Sequence, residues 1–142
     1  RLRVCHLVAE LRAKGVPIHG AGFRSHFVLG STPAEEQLRQ SIDRFAGLGL
    51  VVQITELDSR VPADRQDEEG FAQQAEELRR VVRVCREHPA CDTVVVWGVD
   101  DGHSWRSADR PTLFDASFQP KPGYAAVVGE LAGPRLHAAD GP

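Results

Sequence analysis

Residues 51–58, Val-Val-Gln-Ile-Thr-Glu-Leu-Asp, constrain the fold of this chain more than any other stretch. A run rich in β-branched residues ends abruptly in two acids spaced two apart. Such an apolar run reads as a parallel strand covered on both faces. Side chains alternate across a strand, so Glu56 and Asp58 are predicted to share one side, in line with Val52 and Ile54. In parallel α/β sheets, and above all in (β/α) barrels, chemistry collects at the carboxyl ends of the strands. Two acids at that end are stronger catalytic candidates than the same pair on a helix surface. A helix cap or turn acid explains Asp58 equally well. It explains Glu56 less well, because Glu caps poorly and this one lies among residues expected to be buried.

Helix and strand patterns alternate along the chain. Leu2 to Lys14 carries Cys5, Val8 and Leu11 at helical spacing, and Gly15 stands where a helix end favours glycine. Val16 to His26 reads as a glycine-punctuated strand. Thr32 is the expected cap of the next helix, with Pro33 in its first turn and Glu35 completing a capping box. Leu38, Ile42, Phe45 and Leu48 form its apolar stripe. Leu50 to Thr55 is the second strand, and a charged loop from Asp58 to Glu69 follows. The next helix has the stripe Phe71, Ala75, Leu78, Val82 and Cys85, and His88-Pro89 stops it. Thr93 to Val99 is the third strand. A long polar loop, Asp100 to Lys121, leads to a last helix opened by Pro122 and carrying Tyr124, Val127, Val128 and Leu131. The order is α-β-α-β-α-β-α, an α/β class. A closed eight-stranded barrel takes about 250 residues, so 142 residues hold a partial (β/α)8 TIM barrel.

The net charge of −3 and the lack of a basic patch interleaved with aromatics argue against nucleic acid as the partner. No apolar run approaches the ~20 residues of a membrane span. The chain has no methionine and opens inside an apparent helix, so it is expected to be a piece of something longer. Residues 1–131 form the expected body, and 132–142 read as a tail or the start of a linker. Cys85 and Cys91 lie where a helix ends and a strand begins, either as a disulfide or as two half-buried thiols, while Cys5 reads as a core residue. His6, His19, His88 and His137 read as surface positions.

All three strands carry polar or aromatic groups at the same end. The first ends in Arg24-Ser25-His26 and the second in Glu56-Leu57-Asp58. The third ends in Trp97-Gly98-Val99-Asp100-Asp101, with His103 and Trp105 just beyond. The opposite ends carry Gly, Leu and Thr, so one active face is expected. Singly, each residue has a structural explanation: His26 as a satisfied core histidine, Trp97 as core, Trp105 as a loop anchor, Asp100 and Asp101 as turn holders. His26, Glu56, Asp58 and His103 lack a tight ligand spacing, so no metal is expected.

Four pieces resemble the C-terminal part of the family-10 glycoside hydrolases, the endo-β-1,4-xylanases. They are residues 15–26 (GVPIHGAGFRSH), 54–58 (ITELD), 96–106 (VWGVDDGHSWR), and 113–115 (LFD) followed by 120–127 (PKPGYAAV), in the family's order and spacing. The resemblance implies that the three strands are barrel strands six, seven and eight. It implies that Glu56 is the nucleophile, that His26 hydrogen-bonds it, and that Asp58 orients the histidine. Trp97 and Trp105 match the aromatic walls of the subsite holding the sugar under attack, and Cys85 and Cys91 match a disulfide. Arg24 stands where the family usually has glutamine, adding positive charge and changing subsite contacts. The implied substrate is xylan or a xylo-oligosaccharide, the implied setting is secreted, and no cofactor is implied.

Retaining glycosidases use two carboxyls ~5–5.5 Å apart. The family's acid/base glutamate ends strand four, outside these residues. The chain is therefore expected to carry the nucleophile without its acid/base, to need the N-terminal part of the barrel for a closed fold, and to be inactive alone. Two other readings stand beside this one: a non-catalytic sugar-binding half-barrel, and another retaining β-glycosidase such as a cellulase.

Overall fold

The computed structural model describes residues 2–133. Its elements run α1 (Leu2–Ala13), β1 (Gly20–Phe23), β2 (His26–Val28), α2 (Glu35–Ala46), β3 (Val51–Arg60), α3 (Glu68–Glu87), β4 (Cys91–Val96) and α4 (Pro122–Ala132). Short 3-10 turns at Ala63–Arg65, Asp101–His103 and Ser107–Asp109 shape the long connections. All strand pairs are parallel, with β3 central. β1 and then β2 run along one edge of β3, and β4 along the other. The first strand, expected to be continuous over 16–26, starts later and is split at Arg24-Ser25. Ser25 there adopts a left-handed conformation (φ 60°) that costs a non-glycine residue energy.

β3 extends five residues beyond its expected end at Thr55 and holds the feature that matters most. Ile54 pairs with Phe23 and Asp58 with His26, so three residues of β3 face two of the neighbouring strand. On the other edge Ile54 pairs with Val94 and Leu57 with Val96, so two residues face one. Both neighbours thus register one extra residue in β3 at Thr55-Glu56, a β-bulge. The bulge reverses the alternation. Val52 and Ile54, 0% and 2% exposed, face the helices, and Leu57 joins them in that core. Glu56 and Asp58 point the opposite way, toward His26. The expectation that they share a side with Val52 and Ile54 is overturned. Strict period-two alternation would have driven both acids into the apolar layer.

That layer is built by the expected stripes: Leu38, Ile42 and Phe45 of α2, Leu78, Val82 and Cys85 of α3, and Val127 of α4. Burying each such side chain stabilises the fold by about 1.5–3 kcal/mol. Tyr124, Val128 and Leu131, expected in the same stripe, are largely exposed, because in α4 only Val127 among the four apolar positions reaches this core. The face of the sheet away from the helices is open: Val51, Val95 and Trp97 are all exposed on it.

Several local devices differ from expectation. Thr32 does not cap α2. Its hydroxyl donates to Glu77 Oε2 (2.7 Å), and the same carboxylate accepts from Gly30 N–H and Gln73. This buried carboxylate pins the loop after β2 to α3, which outcompetes a local cap. α2 begins after Ala34, whose N–H is accepted by the Gln37 side chain (3.1 Å). Asp67 caps α3 through Gly70 N–H (2.8 Å), and Gly70 must be glycine, since a Cβ there would lie 1.8 Å from the Arg65 carbonyl oxygen. His88 is not a surface residue. Its ring is nearly buried, with Nε2 on Asp43 (2.9 Å) and Nδ1 accepting from Ala90 N–H (3.1 Å). His6 and His19 are exposed as expected, whereas His137 and residues 134–142 of the segment expected as a tail or linker (132–142) lie outside the described residues. Glu130 of α4 is clasped by Arg79, Arg83 and Arg86 of α3, which fixes the last helix against the third.

Cys85 and Cys91 form a disulfide joining the end of α3 to the start of β4, with Cα atoms 5.0 Å apart. Cys5 is free and half-buried. Replacing both Cys85 and Cys91 with Ala should lower stability by roughly 2–2.5 kcal/mol on the chain-entropy account. A fall in the urea midpoint with an unchanged slope is the expected readout. An unchanged midpoint would show that the bridge constrains little.

Candidate active site

The strand ends bring the predicted residues to one place. His26 opens β2 immediately after the left-handed Ser25, and its register partner is Asp58. The imidazole lies between two carboxylates. Nε2 is 2.9 Å from Glu56 Oε2, a well-formed hydrogen bond. Nδ1 is 3.0 Å from Asp58 Oδ1, an ion-pair distance but bent away from hydrogen-bond alignment. Asp58 is fully buried, whereas Glu56 is one-quarter exposed and faces the open side of the sheet. A partly accessible carboxylate backed by a buried one divides the labour: Glu56 can reach a ligand, and Asp58 acts on the side chains packed around it.

Two aromatic rings surround the histidine. Trp97, just past β4, lies edge-on to His26 with centroids 6.1 Å apart, and Trp105 lies tilted over it at 4.9 Å. Both tryptophans stay exposed, at 44% and 52%. Large aromatic faces left in solvent beside a carboxylate suit stacking on apolar sugar faces. Gly98 (φ 112°) turns the chain sharply after Trp97.

One contact was invisible in the sequence. The indole Nε1–H of Trp105 donates to Asp58 Oδ2 at 2.7 Å, across 47 positions. The loop carrying Trp105 is itself latched. Buried Asp101 accepts from Thr112 N–H and Oγ1, and its other oxygen meets Lys121 Nζ at 2.9 Å. Lys121 also donates to the carbonyls of Arg110 and Thr112. Burial pulls the Lys121 ammonium below the usual lysine range, and Asp101 opposes that shift. Gln74 of α3, fully buried, bridges the Ser59 and Arg110 carbonyls and ties the same loop to the end of β3. The lone signal for this latch is Lys121 standing between two prolines.

The remaining candidates sort plainly. Arg24 is exposed and has no ion pair or hydrogen bond among the described residues. His103 is exposed on Asp100, with Nδ1 3.0 Å from its carboxylate. Burial pushes the Asp100 carboxyl up, but hydrogen bonds from the His103 side chain and the His103 and Gly102 N–H groups outweigh it and hold the group below the usual carboxylate range. Among the described residues no group of three or more His, Cys, Asp or Glu is arranged to hold a metal ion.

Four parallel strands, with β1 and then β2 along one edge of β3, a helix-covered back and a polar, aromatic carboxyl end define an α/β enzyme-like face. Comparison with known proteins gives this face a family. The sequence model of glycosyl hydrolase family 10 matches residues 1–130, and the chain belongs to that family. It is 38% identical over 131 residues to endo-1,4-beta-xylanase 5 of Pyricularia oryzae, covering 89% of this chain and 32% of that protein. The native xylanase 10B of Thermotoga maritima superposes with a TM-score of 0.85 at 34% identity, over 90% of this chain and 41% of that one. The xylanase 10B of Thermotoga petrophila RKU-1, solved in complex with xylobiose, matches with a TM-score of 0.85 at 33% identity, over 90% and 40%. The chain therefore spans about a third of the curated relative and two-fifths of these solved chains. These relatives imply a (β/α)8 barrel, of which the residues here form a partial α/β piece.

Proposed function

We propose that this chain is the nucleophile-bearing part of a secreted, retaining endo-β-1,4-xylanase, with β1/β2, β3 and β4 as barrel strands six, seven and eight. The single observation that carries this reading is the Glu56 carboxylate, half-buried at a strand end, aligned by His26 at 2.9 Å and flanked by two exposed indoles. The xylobiose complex of a relative supports a xylo-oligosaccharide as ligand. The Cys85–Cys91 disulfide supports an oxidising compartment.

The chemistry follows from the placement. Glu56 Oε attacks the anomeric carbon of a xylose unit as the glycosidic C–O bond breaks, forming a glycosyl-enzyme ester. The departing oxygen takes its proton from an acid on the strands that complete the barrel. Water then attacks the same carbon, that residue now acting as base, and Glu56 leaves as carboxylate. A His26 ring proton on Nε2 donates to Glu56 and fixes its rotamer, and Asp58 fixes the ring. Trp97 and Trp105 stack on the sugar. Arg24 sets a free cation at the same strand end, where it changes contacts to the bound sugar. No metal or organic cofactor enters the scheme.

Reducing-sugar release from xylan and from carboxymethyl cellulose, measured on the complete barrel, tests the substrate class. Xylan should be strongly preferred. Equal or faster release from the cellulose would reassign the chain to another β-glycosidase, and no release from either would leave it a sugar-binding module.

A further inference from the structure

Asp58 is a buried carboxylate with an unusual shortage of donors. One oxygen faces His26 Nδ1 at 3.0 Å without hydrogen-bond alignment, and the other accepts the Trp105 indole N–H at 2.7 Å. Among the described residues that indole supplies the one aligned side-chain donor to Asp58. A buried carboxylate is costly unless hydrogen-bonded, so its rotamer is set by whatever donor it has. The same indole packs its ring 4.9 Å from the His26 ring, holding the imidazole from the side while its N–H holds the acid behind it. About half of Trp105 remains exposed. The loop that presents it is latched by Asp101, Thr112 and Lys121, and by Gln66 donating to the Ala108 carbonyl at 2.6 Å.

We infer that Trp105 is the positioning residue of the Asp58–His26–Glu56 chain, setting the alignment of the nucleophile through its N–H as well as presenting a wall to sugar. This rests on the reading of Glu56 as nucleophile. It adds a coupling: a sugar that stacks on Trp105 presses on the group that anchors Asp58, so occupation of the wall and alignment of Glu56 rise together. A wall alone requires only an aromatic face. A positioning role requires the N–H, which phenylalanine lacks.

The test is Trp105→Phe in the complete barrel, alone and combined with Asp58→Asn. Loss of a hydrogen bond to a charged group predicts a fall in kcat of about 10- to 100-fold with KM within about twofold. The two changes act on one chain, so the cost of Trp105→Phe should shrink clearly in the Asp58→Asn background. A rise in KM with unchanged kcat, or an equal cost in both backgrounds, would overturn the positioning role and leave a simple wall. If Trp105→Phe fails to fold, the unaltered protein still decides. The Trp105 indole proton, assigned by its contact to the His26 ring, should exchange slowly with solvent and shift downfield, and a freely exchanging one refutes the bond. This readout needs no activity. Full turnover in Glu56→Gln would sink the nucleophile reading instead, so the two failures are distinguishable.

Discussion

Glu56→Gln in the complete barrel should abolish covalent labelling by a 2-fluoro-xylobioside and reduce xylan turnover by a factor on the order of 10⁴–10⁶, the scale of nucleophile deletions elsewhere. The amide is nearly isosteric with the carboxylate and one-quarter exposed, so the fold should persist with an unchanged melting curve. The chemistry cannot persist, because an amide does not form the ester on which water later acts. At 1.36 kcal/mol per tenfold, such a loss is about 5–8 kcal/mol of transition-state stabilisation. That far exceeds what the His26 contact alone supplies. Mass spectrometry of the trapped adduct identifies the labelled peptide. A label on any residue other than Glu56 in the unaltered protein would remove it from the role, whatever the kinetics.

Residues 1–142 by themselves should release no reducing sugar from xylan at a rate near that of an intact xylanase. Among the described residues the sheet has no strand paired outside β1 or β4, and its inner face leaves Val51, Val95 and Trp97 in solvent. All-parallel sheets are normally covered on both sides and closed or capped at the edges. Among the described residues the site also holds one accessible carboxylate, Glu56, where a retaining reaction uses two. Asp58 does not substitute, since it is fully buried and engaged by His26 and Trp105. Missing general-acid assistance costs about 10²–10⁴ in rate, and loss of the opposite cleft wall removes substrate positioning on top of that. The measurement is xylan hydrolysis by this chain, repeated after adding the strands that complete the barrel. Restoration on addition is the expected result, and full activity without it would mean that a second acid lies within these residues.

The alternation of helix and strand was legible in the sequence because periodicity of apolar residues reports which face is buried. α2 and α3 lie where their stripes place them; Gly15 follows the end of α1, His88-Pro89 the end of α3, and Pro122 opens α4. The shared polarity of the strand ends was legible for the same reason: polar groups interrupt the apolar runs at one end only. Likeness to a known family then suggested which of those groups act together, and the structure brings His26, Glu56, Asp58, Trp97 and Trp105 to one locus.

Other features were decided by tertiary structure. A single extra residue at Thr55-Glu56 has no local signature, because a bulge is defined by what the neighbouring strands do. It alone determines that Glu56 and Asp58 face His26 and that Leu57, not Glu56, enters the core. Thr32 had the right chemistry to cap a helix but found a buried carboxylate, Glu77, 45 positions away. His88 read as surface because its partner, Asp43, lies on another helix. Trp105 read as a wall, while its N–H reaches Asp58 over a loop held by Asp101 and Lys121. The sequence by itself determined which elements form and which chemical groups gather at the strand ends, since both depend on local periodicity and residue type. Only the folded chain decided which side of the sheet each group faces and which buried partner it meets, because those depend on register and on contacts between residues far apart in the chain.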